Sequence, residues 1–76
     1  MEKEQVYEII ADKLGVELSL VKDEADLRED LGGDSLDIIE VVMELESRFG
    51  VMIDDAVYDT VHTVGDVIKL IEQYDH

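Results

Sequence analysis

The sequence predicts an all-α fold, a bundle of three main helices and one short helix in a single domain spanning residues 1–76. Apolar residues recur at helical spacing in three segments. No segment shows the alternation of apolar and polar residues that is typical of a strand. The chain has 76 residues and no shift in composition that would mark a domain boundary.

The first predicted helix ends at about Leu14, because Gly15 closes its run of apolar residues at helical spacing. From Val16 to Gly33 the apolar residues keep no sustained register. A connection this long is uncommon in a compact domain unless it has structure of its own. We therefore expect a helical turn within it and apolar side chains that pin it to the core. These side chains are Leu18, Leu20, Val21, Leu27 and Leu31.

The second predicted helix begins after Asp34, which is well placed to cap it, and runs to about Phe49. Its apolar residues cover too much of the circumference for a single stripe. A core face is formed by Val41, Val42, Leu45 and Phe49. The remaining apolar residues form a ridge, Leu36, Ile39 and Met43, with acidic neighbours. The ridge suggests a contact surface, although burial of Ile39 and Met43 in the core is an alternative.

Two more helices are predicted towards the C-terminus. A brief helix over residues 56–61 follows two consecutive aspartates that are suited to capping it. The last helix follows Thr63 and runs to about Tyr74. Thr63 and Asp66 have the spacing of a capping box, with Asp in the position that Glu usually takes.

Charge and composition exclude several classes of partner. A net charge of -15 would repel nucleic acid and anionic lipid, so basic protein surfaces are the natural complement, although the charge also promotes solubility. No segment approaches the roughly 18 apolar residues of a membrane span, and the N-terminus has no basic flank before an apolar run. We therefore expect a cytoplasmic monomer without membrane contact. Because the chain has no cysteine, any thiol that it uses must come from a bound cofactor.

The sequence predicts neither a catalytic site nor a dedicated metal site. Ser35 lacks a G-x-S-x-G context, and the histidines are His62 and the terminal His76, so no catalytic triad can be proposed. Neighbouring carboxylates on the second helix would attract a divalent cation only weakly, and no EF-hand loop fits the sequence. We expect no enzymatic activity.

The segment from Asp30 to Asp37 reads Asp-Leu-Gly-Gly-Asp-Ser-Leu-Asp. Taken alone, an Asp-Ser pair before an apolar helix is explained by helix capping. The segment resembles the attachment motif of the acyl carrier protein family, which is Asp-Ser-Leu preceded by Leu-Gly and a small residue. The resemblance extends over the whole chain, through Leu14-Gly15-Val16, Glu40, Met43, Leu45-Glu46, Phe49-Gly50, Ile53 and Thr63-Val64-Gly65-Asp66.

This resemblance implies a carrier that holds acyl intermediates as thioesters on 4'-phosphopantetheine attached covalently to Ser35. A carrier-protein synthase, that is, a phosphopantetheinyl transferase, would transfer the arm from coenzyme A. The start of a helix favours the anionic phosphate of that arm. The resemblance also makes the second helix a docking surface for basic patches on acyl-processing enzymes. It assigns recognition to Asp34, Leu36, Asp37, Ile39, Glu40, Met43 and Glu46, with Asp34 and Asp37 serving the synthase.

Two departures from the family bear on cargo and contacts. Gly33 replaces the alanine that is common in fatty-acid carriers. The resulting Gly-Gly-Asp-Ser-Leu segment is more often seen in peptidyl carrier domains. Asp54 stands where the family often has proline. The leading interpretation is a carrier for fatty-acid or related biosynthesis, in which core residues such as Leu45, Ile53, Val61 and Ile68 would shelter the chain. The alternatives are an aminoacyl, peptidyl or polyketide carrier, and an unmodified acidic interaction module in which Ser35 only caps a helix.

Overall fold

Three α-helices alternate with two short 3₁₀ turns in a computed structural model that describes residues 3–74. Helix α1 spans Lys3–Leu14, α2 spans Ser35–Phe49 and α3 spans Val64–Tyr74. The first 3₁₀ turn is Leu18–Leu20 and the second is Asp55–Asp59. These residues contain no strand, and one isolated bridge pairs the connection between α1 and α2 with the start of α3. The terminal His76 lies outside the described residues.

The predicted bounds of the three main helices are confirmed, and the predicted short helix over residues 56–61 is present as a 3₁₀ turn whose bounds lie one to two residues earlier. It begins at Asp55 and ends at Asp59. Asp54 starts it, because its Oδ1 accepts a hydrogen bond of 2.9 Å from the backbone N–H of Ala56. The Thr60 hydroxyl ends it by donating to the carbonyl of Val57 at 2.8 Å. These local bonds close a turn too short to continue as an α-helix.

All three helices and the connection contribute to one hydrophobic core. Its buried residues are Val6, Ile9, Ile10, Val21, Ala25, Leu27, Leu31, Ile38, Val41, Val42, Leu45, Ile53, Val61, Val64, Val67, Ile68, Leu70 and Ile71. The predicted core face of α2 lacked Ile38, which lies three residues before Val41 and therefore shares its side of the helix. Phe49 packs against this core while only partly buried.

The connection between α1 and α2 is anchored by fewer apolar side chains than the sequence predicted. Leu27 and Leu31 are buried, as is Val21. Leu18 and Leu20 are 51% and 52% exposed, so their predicted burial is wrong. The first 3₁₀ turn closes through its own backbone bonds, and the residue that follows it, Val21, is the one that reaches the core.

Backbone hydrogen bonds join this connection to the start of α3. The N–H of Leu27 donates to the carbonyl of His62 at 2.9 Å, and the N–H of Gly65 donates to the carbonyl of Asp23 at 2.8 Å. A Cβ at Gly65 would lie 3.1 Å from that Asp23 oxygen, so glycine permits the close approach. The Asp23 carboxylate also accepts a 2.6 Å hydrogen bond from the Tyr7 hydroxyl of α1. This bond raises the pKa of Tyr7. Asp23 therefore links α1, the connection and α3.

The predicted capping box at the start of α3 is confirmed. The Asp66 carboxylate accepts hydrogen bonds of 3.0 Å from the backbone N–H groups of both His62 and Thr63. In return, the N–H of Asp66 donates to the Thr63 hydroxyl at 3.1 Å. The pKa of Asp66 is held below its usual value because these backbone bonds favour the ionised carboxylate. The bond from Thr63 has the largest effect and the bond from His62 the next largest.

Replacing Asp66 with alanine is expected to lower the free energy of unfolding at neutral pH by about 1 kcal/mol, because two N–H groups at the helix start lose their acceptor. The melting temperature would fall by roughly 4 to 8 °C. Because folding lowers the pKa of Asp66, its carboxylate contributes stability above the unfolded pKa, and this contribution is lost as the pH falls through the folded value. The difference between wild type and variant should therefore shrink below about pH 4.

Urea unfolding across this pH range measures the effect, with Asp12→Ala as a control that removes an exposed carboxylate from α1. A deficit in Asp66→Ala that is no larger than that of the control at neutral pH would contradict the capping role.

Candidate functional site

Ser35 is the first residue of α2, and its side chain is exposed. The cap of this helix is the preceding residue. Oδ1 of Asp34 accepts a 2.9 Å hydrogen bond from the N–H of Asp37, and Oδ2 of Asp37 accepts one of 3.2 Å from the N–H of Asp34. The predicted cap is therefore confirmed, and it leaves the Ser35 hydroxyl outside the capping box. The alternative in which Ser35 serves as the cap is wrong.

A tight turn before Ser35 determines where the serine lies. Oδ1 of Asp26 accepts hydrogen bonds from the backbone N–H groups of Arg28 and Glu29 at 2.8 and 2.9 Å. The bond from Glu29, and to a smaller extent the bond from Arg28, holds the pKa of Asp26 below its usual value. The turn is anchored on the core at both ends, because Leu27 and Leu31 are buried. The chain therefore enters α2 from a fixed position.

Gly33 packs against the body of the protein just before the serine. Its N–H donates to the carbonyl of Leu27 at 2.8 Å. A Cβ at this position would lie 2.9 Å from that carbonyl oxygen and 2.6 Å from Cδ2 of Leu14. The leucine methyl is the far end of a flexible side chain, whereas the backbone oxygen is held by the turn. Close packing in this chain therefore accounts for glycine in place of alanine, without reference to cargo.

The guanidinium group of Arg28 lies beside the serine. Its Nη2 atom is 3.4 Å from Oγ of Ser35. Within residues 3–74, the hydroxyl has no hydrogen bond to a carboxylate or an imidazole. His62 is exposed and contributes to the fold through its backbone. Arg28 therefore places a positive charge beside Ser35, and in residues 3–74 no carboxylate or imidazole is hydrogen-bonded to the hydroxyl to act as a general base.

The predicted ridge on α2 is exposed at both of its ends. Leu36 and Met43 are 62% and 58% exposed, so the alternative that buries Met43 is wrong. Ile39 between them is half-buried, and Glu40 beside them is exposed. We refer to Leu36, Ile39, Glu40 and Met43 as the α2 face. Large apolar side chains exposed next to an acid are typical of a contact surface.

Three acids that the resemblance assigned to recognition also have roles within the fold. Asp34 and Asp37 form the capping box of α2. Glu46 is half-buried, and its carboxylate accepts a 2.8 Å hydrogen bond from the backbone N–H of Ile53. This bond holds the segment that follows α2, and sequence reasoning missed it because Glu46 and Ile53 are separated by a helix end.

Neither a clustered metal site nor a membrane span is found in the part of the chain that the structure describes. Residues 3–74 contain no group of three or more histidine, cysteine, aspartate or glutamate side chains arranged to hold a metal ion. None of their helices combines the length and the apolar character needed to cross a bilayer.

Comparisons with known proteins agree with this geometry. Residues 4–71 match the family described as the phosphopantetheine attachment site. The chain is 51% identical over 69 residues to an acyl carrier protein of Thermotoga maritima. The aligned stretch covers 91% of this chain and 85% of that protein. A solved structure of a candidate acyl carrier protein from Mycobacterium tuberculosis has a TM-score of 0.87 and 28% identity, covering 93% of this chain and 95% of the other. The crystal structure of an acyl carrier protein from Thermotoga maritima has a TM-score of 0.73 and 34% identity, covering 91% and 85%.

The helical fold and the phosphopantetheine attachment domain together define a carrier protein, which is not itself an enzyme. Within this class, the chain belongs to the acyl carrier protein family. Its cofactor is 4'-phosphopantetheine, as the resemblance implied. The site fits this cofactor, because an exposed hydroxyl stands at the start of a long helix, outside the cap and beside a positive charge.

Proposed function

We propose that Ser35 is the attachment residue and that residues 1–76 act as a single carrier domain. The observation that carries this proposal is the exposed Ser35 hydroxyl at the first position of α2, which the capping box leaves unused. The attached cofactor supplies a thiol on which acyl groups are held as thioesters. Because the chain contains no cysteine, no thiol of its own competes for the acyl group.

The attachment step requires a second protein. Oγ of Ser35 forms a bond to the phosphorus that carries the pantetheine group of coenzyme A, the phosphoanhydride bond breaks, and adenosine 3',5'-bisphosphate leaves. The hydroxyl proton must pass to a base. No carboxylate or imidazole in residues 3–74 is hydrogen-bonded to this hydroxyl, so the base belongs to the synthase in this proposal. The carrier supplies an accessible hydroxyl in a fixed position.

Incubation with coenzyme A, Mg²⁺ and a carrier-protein synthase is expected to add one phosphopantetheinyl group to the wild-type protein. Ser35→Ala should gain none, because the nucleophilic oxygen is absent. Ser19→Ala and Ser47→Ala remove the other two serines, both exposed, and should be modified like wild type. Intact mass spectrometry measures each product. Modification of Ser35→Ala, or none in wild type, would disprove the assignment.

The α2 face is proposed to dock on the synthase and on acyl-processing enzymes through their basic surfaces. Leu36 offers an apolar contact next to the attachment serine, Met43 offers another about two turns further along α2, and Glu40 is exposed between them. The net charge of -15 attracts a basic partner before contact. Such steering increases association rates more than it prolongs binding, which suits a carrier that must leave each partner.

Glu40→Lys is expected to slow phosphopantetheine transfer by the synthase several-fold at low salt, because it reverses a charge on the α2 face. The deficit should shrink as salt is added, since the screening length falls to about 8 Å at physiological ionic strength. Glu72→Lys makes the same change in net charge on the exposed surface of α3 and should have a smaller effect. Initial rates and circular dichroism are measured for both variants. Equal slowing in both would place the docking surface elsewhere.

We further propose a fatty-acyl or related cargo, delivered to the enzymes of fatty-acid or related biosynthesis. Four residues are proposed to shelter the chain, and all are buried in the core: Leu45, Ile53, Val61 and Ile68. Entry of an acyl chain would require these side chains to part, with a gain of roughly 0.8 kcal/mol for each buried CH₂, less the cost of opening the core. The packing of Gly33 removes one argument for an aminoacyl, peptidyl or polyketide cargo.

Loading the arm with acyl groups from acetyl to octanoyl tests the cargo. For a fatty-acyl carrier, the melting temperature should climb and thioester hydrolysis should slow as the chain lengthens, because the chain is withdrawn from water. The same thioesters on free pantetheine give the intrinsic effect of chain length on hydrolysis. If the melting temperature stays flat and hydrolysis follows the free thioesters, the arm is solvated and the aminoacyl or polyketide alternative is favoured.

A further inference from the structure

Arg28 is placed to contact whatever is attached to Ser35. Its Nη2 atom lies 3.4 Å from the serine Oγ. In a phosphoserine ester the phosphorus is bonded directly to this oxygen, and the two non-bridging oxygens lie one bond further out. A guanidinium group that already contacts Oγ is therefore within reach of those oxygens.

We propose that Arg28 binds the phosphate of the phosphopantetheine arm and holds the first atoms of the arm over the start of α2. This inference rests on the proposed attachment at Ser35. Arginine suits the role, because its planar fork of N–H donors matches the paired oxygens of a phosphate and stays charged at all physiological pH values.

The backbone of Arg28 is held in place independently of the serine. Its N–H donates to Oδ1 of Asp26 at 2.8 Å, and its carbonyl accepts a 3.0 Å bond from the N–H of Gly32. The preceding residue, Leu27, is fully buried. The side chain of Arg28 therefore extends from a backbone position beside the start of α2 that is fixed without the arm.

The charge around Arg28 also favours a phosphate as its partner. The chain has 21 acidic and six basic residues. Lys13 and Arg48 both contact the carboxylate of Glu44, at 3.9 and 3.2 Å. By contrast, no carboxylate of residues 3–74 lies within ion-pair distance of the Arg28 guanidinium, which contacts a neutral hydroxyl and attracts Asp26 only over a longer distance. A phosphate on Ser35 would supply a negative charge in direct contact with this guanidinium.

The same pairing would offset a repulsion that the site otherwise contains. Asp34 and Asp37 lie on either side of the attachment serine in the first turn of α2, where their carboxylates form the capping box. A phosphodiester placed between them is repelled by both. The positive charge of Arg28 and the N-terminal dipole of α2 oppose this repulsion.

The test compares apo and phosphopantetheinylated forms of wild type, Arg28→Gln, Arg28→Lys and Arg48→Gln. Arg48→Gln is the matched control, because it removes the same charge from the far end of α2. Phosphorus-31 NMR of the modified forms is recorded between about 10 mM and about 500 mM NaCl, a range over which the screening length falls from about 30 Å to a few ångströms. Nitrogen-15 spectra report the arginine Nε–H signals.

We expect the phosphorus signals of wild type and Arg48→Gln to move together as salt is added. The phosphorus signal of Arg28→Gln should differ from both at low salt and converge with both at high salt. Arg28→Lys, which keeps the charge but not the fork, should lie between. The Nε–H signal of Arg28 should shift on modification, whereas that of Arg48 should not.

Two results bear on the proposal separately from the attachment. A wild-type protein that gains no phosphopantetheinyl group by mass would overturn the assignment of Ser35. A modified wild type whose phosphorus signal matches that of Arg28→Gln at low salt, and whose Arg28 Nε–H signal is unchanged from the apo form, would overturn the role of Arg28 alone. The Nε–H comparison uses wild-type protein, so it holds even if a variant fails to fold.

Discussion

The backbone pairing between residues 23–27 and 62–65 is the constraint on which the rest of the structure depends. It ties the long connection after α1 to the start of α3 through bonds of 2.8 to 3.0 Å. Ordering a connection of this length costs much conformational entropy, and few buried apolar side chains offset that cost. The backbone bonds to the start of α3 help to offset the remainder. The Leu27 backbone belongs to this pairing through its N–H, and its carbonyl accepts from Gly33. The approach to Ser35 is therefore fixed relative to α3 as well as to α2.

Local features of the sequence were sufficient to predict the helices and their caps. Asp34 and the pair of Thr63 and Asp66 bond to residues within one turn, so their spacing alone indicates the result. The burial of Leu27 and the exposure of Leu18 could not be told apart in the same way, because both lie in a segment without period. Their difference is set by where α3 meets the connection, which is a tertiary contact.

Around Ser35, too, some features could be predicted from the sequence and others are set by tertiary contacts. The resemblance to acyl carrier proteins indicated the serine, but neither spacing nor resemblance indicated that Arg28 would lie beside it, since the contact follows from the turn that Asp26 closes. Gly33 was interpreted through cargo for a similar reason. Its relation to the Leu27 carbonyl becomes visible only when the turn is folded against α1 and α2.

Several acids that the proposed docking assigns to recognition also contribute to the fold. Asp34, Asp37 and Glu46 accept backbone hydrogen bonds at the ends of α2, and in the proposed docking the same three acids would add to the field that attracts a basic partner. Such residues are poor choices for testing recognition, because removing them disturbs the helix as well as the charge. Glu40 is exposed beside apolar neighbours on the α2 face, so reversing its charge separates the two contributions. In the proposed docking, such a carrier would bind through a broad field and a small apolar contact, which permits both rapid encounter and release.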